Sequence, residues 1–190
     1  HQEADGSWGG IQPPWVYSLI ALRVLGYPAE HPVIRKSLEG FEAFAIEEGN
    51  TWRVQACTSP VWDTALAMIA LRDAGLPPDH SALQKAARWV LTQQIHAGGD
   101  WQVKNRRARP GGWAFEFEND LYPDTDDAAI VLMALHLVRL PEEEGKREAM
   151  DLGIRWLLSM QGKNGGWGSF DVDNTKFFVT QIPFCDFGAT

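Results

Sequence analysis

One pattern recurs three times and limits what this chain can fold into. An apolar stretch opened by proline runs to an alanine–leucine or similar pair, and a second proline follows that alanine seven positions later. The three copies are Pro14 through Ala21 to Pro28, Pro60 through Ala70 to Pro77, and Pro123 through Ala134 to Pro141. After each comes a more polar stretch of helical periodicity, over 33–45, 81–94 and 147–161. Proline ahead of an apolar run signals a helix start, and glycine or proline beyond it a stop. A helix apolar all round is buried, while an amphipathic one turns one side to water. Units alternating the two stack as a helical repeat or close into an α/α barrel. The expected fold is therefore all-α, with inner and outer helices alternating. Strand signals are few. Asp171-Val172-Asp173 and Phe177-Phe178-Val179-Thr180 are the candidates, and loops suit them as well.

A second repeat interleaves with the first. Gln2 through Gly6 to Trp8 reads Q-x3-G-x-W, and so does Gln161 through Gly165 to Trp167. A stretched copy runs from Gln93-Gln94 to Gly111-Gly112-Trp113, with the basic run Lys104-Asn105-Arg106-Arg107-Ala108-Arg109 inside it. Glutamine at a helix end can bond free backbone groups, and glycine turns the chain. Tryptophan then covers the next helix start, so Trp8, Trp113 and Trp167 are expected to staple neighbouring helices.

The third apolar helix starts with Asp124-Thr125-Asp126-Asp127. Asp124 can cap it, and carboxylates in a first turn gain about 0.3–1 kcal/mol each from the helix dipole. Capping alone would explain them. Crowding offers a sharper reading: adjacent buried carboxylates cannot all ionise cheaply, so one keeps its proton and becomes a general acid. Eight positions before the aligned alanines stand Pro13, Trp62 and Asp126. The cluster thus lies where inner helices begin, at one rim of a barrel, and burial of Asp126 is expected.

The net charge of −8 argues against a nucleic-acid surface. The basic run is most simply a solvated loop, with a lipid-phosphate contact as the other reading, and Glu142-Glu143-Glu144 reads as a solvated acidic face. Cys57 and Cys185 lack metal-type or disulfide-framework spacing, which fits a reducing compartment. His1, His31, His80, His96 and His136 share no ligand pattern, so no metal site is expected. No 18-residue apolar run or signal peptide is present. Beginning at His1 and ending at Gly188-Ala189-Thr190, the chain reads as an internal piece of a longer protein.

These motifs together resemble the squalene-hopene cyclases, the bacterial class II triterpene cyclases. The likeness rests on D-x-D-D at Asp124–Asp127, on the Q-x3-G-x-W repeats, and on the flanks Gly9-Gly10-Ile11-Gln12-Pro13-Pro14-Trp15, Ser59-Pro60-Val61-Trp62-Asp63-Thr64 and Ile182-Pro183-Phe184-Cys185-Asp186-Phe187-Gly188. It spans essentially the whole chain. The resemblance implies a terpenoid-cyclase toroid, part of a two-barrel protein: residues 1–45 would close one barrel and 46–190 open the catalytic one. It implies a homodimer held as a monotopic protein on the cytoplasmic side of the cytoplasmic membrane, with no metal or organic cofactor.

It also implies a reaction, protonation of a terminal alkene of squalene and polycyclisation to hopene or, with water, hopanol. Asp126 would donate the proton, with Asp124 and Asp127 holding it. A histidine partner would lie beyond Thr190. Trp62, Phe115 and Phe170 would line the cavity, Phe170 standing where relatives carry tyrosine or phenylalanine. Ile11 would shape the far end of the pocket and Gln12 help hold the terminating water. Phe184, Cys185 and Phe187 would form a constriction between membrane channel and cavity. Three rivals remain: a class II diterpene cyclase, for which no phosphate-cradling loop is seen; an α/α-barrel carbohydrate enzyme, which would space its carboxylates across a bond; and a non-enzymatic helical-repeat binding module, whose acid cluster would face solvent.

Overall fold

A computed structural model describes residues 2–117 and 119–173. Phe184, Cys185 and Phe187, and the strand candidate at 177–180, lie outside these. Six helices follow in order: α1 Gln12–Val24, α2 Pro32–Ala43, α3 Pro60–Asp73, α4 Ser81–Thr92, α5 Thr125–His136 and α6 Glu143–Ser159. The first, third and fifth are the apolar helices of the repeat.

The expected helix pairs are there, but two corrections apply. Ala45–Glu48 (β1) and Thr51–Val54 (β2) form an antiparallel hairpin, pairing Ala45 with Val54 and Glu48 with Thr51. The chain is thus helical with a small sheet, not all-α. The two-residue Gly49-Asn50 turn, with Gly49 at φ 62°, is a hairpin signal that Glu47 and Glu48 mask. Asp171–Asp173, by contrast, is not a strand. Secondly, α6 starts at Glu143, four residues before the expected 147. Glu143 is part of the helix start, not a solvated loop: it accepts the Leu140 N–H at 2.7 Å and bonds the buried Lys146 ammonium at 3.0 Å. Those two bonds hold its carboxyl below the usual range.

The described residues divide into two compact units, His1–Pro60 with Phe115–Asn119, and Val61–Ala114 with Asp120–Thr190. The hairpin lies whole in the first, which therefore continues past residue 45. In that unit Trp15 is fully buried, edge-on to Phe41 and Phe44 at 5.2 and 5.1 Å. In the second, α5 packs on α4 and α6. Its Val131, Ala134 and Leu135 share a core with Val61 and Met68 of α3, Leu83 and Val90 of α4, and Trp156 of α6.

Turns repeat as faithfully as helices. After α1 the Tyr27 N–H closes on Leu22 O, and after α3 Leu76 closes on Leu71 O, both at 3.1 Å around a left-handed glycine, Gly26 or Gly75. Arg23 and Arg72 then bond the carbonyls of Tyr27 and Leu76. His31 and His80 cap α2 and α4, each Nδ1 accepting a backbone N–H two residues on, a role that ligand spacing does not reveal.

Of the three glutamine–tryptophan loops the middle one ties two helices, and the indoles bond α2, α4 and α6 rather than covering the next helix start. Gln94 Nε2 donates to Gly111 O and to Ala149 O in α6, both at 2.8 Å, while the Trp113 indole donates to Val90 O at 2.8 Å. In the third loop Gln161 bonds Gly165 O and Trp167 bonds Leu157 O, again at 2.8 Å. In the first, Gln2 reaches Val33 O and Trp8 reaches Ser37 Oγ, both at 2.8 Å. The third loop leads directly to the acid cluster.

Candidate active site

Pro123 enters α5, and Asp124 takes the extended backbone of a helix cap, at φ −118° and ψ 158°. Its carboxylate accepts the Asp127 N–H at 2.7 Å. The strand-like Trp113–Asp124 bridge holds it from the other side, where Asp124 N–H donates to Trp113 O at 3.0 Å. Asp124 and Asp127 are buried, at 4% and 2% exposure. Burial pushes Asp124 up to about 9, helped by its side-chain hydrogen bond to Asp127 and by that neighbour's charge. Burial also raises Asp127, although the bond from Asp124 opposes the rise. Burial thus favours one proton held between the two carboxyls of this pair. Asp127 Oδ1 is buried with no hydrogen-bond partner among the described residues.

Asp126 differs from the expectation. It is exposed, and its Oδ2 accepts a hydrogen bond from Ser169 Oγ at 3.1 Å. Helical geometry explains the split. With 3.6 residues per turn, Asp126 points about 100° away from Asp127, and the second unit's core takes the Asp127 side together with Ala128 and Val131. The crowded and buried carboxyls at this helix start are those of Asp124 and Asp127.

The remaining predicted residues fall in both units. Trp62, in the first turn of α3, is half-buried. Phe170 is 38% exposed and stands edge-on to Tyr122 at 5.9 Å. Burial, and then the charge of Asp100, raise the Tyr122 hydroxyl above its usual range. In the first unit Phe115 is half-buried, and so are Ile11 and Gln12. Ile11 bridges Cys57 in strand-like fashion, and Gln12 Nε2 donates to Gln55 O at 2.7 Å and Val54 O at 3.3 Å. The Gln12 amide nitrogen is thus spent on backbone. Ser169 and Thr125 were not anticipated as site residues. Their signal is visible only in space, because 43 positions separate Ser169 from its carboxylate.

Sequence comparisons relate the chain to known proteins. The family model for the squalene-hopene cyclase C-terminal domain matches residues 58–190, and that for the N-terminal domain matches residues 1–50. A squalene–hopene cyclase of Alicyclobacillus acidocaldarius is 54% identical over 98% of this chain and 30% of its own length. A squalene-hopene cyclase of Schizosaccharomyces japonicus is 42% identical over 95% of the chain and 28% of its own length. A dammaradiene synthase of Dryopteris crassirhizoma is 46% identical over 99% of the chain and 27% of its own length. The chain thus spans under a third of the length of these relatives.

Proposed function

The chain belongs to the squalene-hopene cyclase family, and from that premise we propose that the complete protein protonates squalene and cyclises it. The observation that carries this reading is the buried Asp124–Asp127 pair beside the solvent-facing carboxyl of Asp126 at one helix start. A binding module with a solvated acid cluster would not bury two of three carboxylates, since burying an ionised carboxylate is costly.

Asp126 is the proton donor in this reading. Its O–H bond breaks as the alkene π pair forms a C–H bond, leaving a carboxylate and a tertiary carbocation. Successive double bonds then attack the cation. The cascade ends when the last cation loses a proton to give hopene, or takes up water and loses a proton to give hopanol. An alkene is a weak base, so the acid must be strong and shielded from water. A proton held within the Asp124–Asp127 pair helps, because it spares the donor one neighbouring like charge. The open side of Asp126 is the side on which a substrate chamber must close.

Cations need electron density without a nucleophile. Trp62 and Phe170, with Phe115 of the first unit, offer aromatic faces worth roughly 0.5–2 kcal/mol each. Ile11 shapes the far end, and Gln12 offers its Oε1 to a terminating water.

The fold proposed is a two-barrel toroid of α/α barrels, with α1 an inner helix of one barrel and α3 and α5 inner helices of the other. Exposed apolar side chains on α1 (Ile20, Val24) and α3 (Leu66, Leu71) support it, since inner helices bury such faces against the rest of a barrel. The same reading makes the complete protein a monotopic homodimer on the cytoplasmic side of the cytoplasmic membrane. Among the described residues no helix is long and apolar enough to cross a bilayer.

Incubating the full-length protein with squalene and analysing the lipid extract by mass spectrometry tests the function. Hopene or hopanol is expected, and none from a correctly folded Asp126→Asn variant. Near-normal turnover by that variant would remove Asp126 as the donor, and a different triterpene would redirect the product assignment.

A further inference from the structure

We propose that Ser169 is a positioning residue for the acid. Its hydroxyl orients the Asp126 carboxyl and stabilises the anion that remains once the proton has left. The proposal rests on the reading of Asp126 as donor. Ser169 Oγ donates to Asp126 Oδ2 at 3.1 Å.

The loop that carries this hydroxyl is anchored to the same helix turn. Thr125 N–H donates to Ser169 O at 2.9 Å, and Thr125 Oγ1 donates to Gly168 O at 3.1 Å. The non-acidic member of the D-x-D-D motif thus gives both of its donors to the segment holding Ser169. On the upstream side, the third glutamine–tryptophan loop ties that segment to α6 through the Trp167 indole. Downstream, Phe170 packs edge-on against Tyr122. Ser169 is therefore delivered to Asp126 by a fixed backbone.

The chemical consequence follows from which charge state the bond favours. A hydroxyl donating to a carboxylate stabilises the ionised form and makes the acid stronger. Asp124 and Asp127, on the same turn, act in the opposite sense whenever they carry charge. With Oδ2 engaged by Ser169, the transferable proton is left on Oδ1. Both Ser169 and Asp126 are exposed here, so the bond matters little to folding and its loss should be read in turnover.

The test uses the full-length protein with squalene and compares Ser169→Thr with Ser169→Val, which differ by the hydroxyl at nearly equal volume, alongside Ser169→Ala. Losing a hydrogen bond to a charged group is expected to lower kcat on the order of tenfold, with KM and thermal midpoint unchanged. Threonine should keep most of the activity, while valine and alanine lose it. Equal kcat for threonine and valine, or wild-type kcat in the alanine variant, would overturn the proposal. If such a result comes with an active wild type and an inactive Asp126→Asn, Ser169 alone is at fault. An inactive wild type, or an active Asp126→Asn, would instead overturn the donor assignment and this inference with it.

Discussion

Three carboxylates within four positions meet three different environments. Asp124 spends one oxygen on the Asp127 N–H, Asp127 lies under the core, and Asp126 faces out to Ser169. The raised Asp124 makes stability depend on pH with a definite sign. Its folded value of about 9 lies above the ordinary 3.8 of an unfolded chain, so the folded state binds the extra proton between the two. Stability from this group is full below the ordinary value and is lost as pH rises towards 9, by up to about 1.4 kcal/mol per pH unit for one proton. Asp124→Asn keeps a good helix cap and removes that titration. Urea midpoints at pH 5 and pH 8 should therefore fall less in the variant than in the wild type. An equally steep fall would mean that Asp124 is not the proton carrier.

At the element scale, the middle glutamine–tryptophan loop follows α4 and also reaches α6, through Gln94 and Ala149 O. Such a joint demands close approach. A Cβ on Gly153 of α6 would lie 2.7 Å from the Trp113 ring, whereas one on Gly145 of the same helix would meet nothing within 4 Å. Gly153→Ala is therefore expected to destabilise by about 1–3 kcal/mol through overpacking. Gly145→Ala, exposed on the same helix, should stabilise by roughly 0.5–1 kcal/mol. Denaturant midpoints for the pair check both signs. Similar shifts in the two variants would refute the packing account. The hairpin between α2 and α3 shows the opposite case, an element formed because Gly49-Asn50 closes a two-residue turn although the flanking strands carry charge.

At the scale of the whole molecule, burial is uneven. Helix α5 buries seven of its 12 residues, yet α1 buries only Trp15 and leaves Val24 at 81% exposure. An acid that must work on an alkene cannot stand in water, and Asp126 stands in it here. The 190-residue chain by itself should therefore yield no hopene from squalene, and its appearance in a lipid extract of the purified chain would contradict the chamber model.

What the sequence determined by itself is periodic and local. The Ala-to-Pro spacing located all three helix pairs, the position of Asp124 announced a cap, and the recurring glutamine and tryptophan marked the staples. The helices and the cap follow from bonds a few residues long, whereas the staples recur as a pattern although Gln94 reaches Ala149 across 55 positions. Only the tertiary structure decided which carboxylates lose their water, because desolvation depends on what packs over each face of α5. It likewise brought Ser169 to Asp126 across 43 positions, through backbone bonds from Thr125 that no spacing rule foretells.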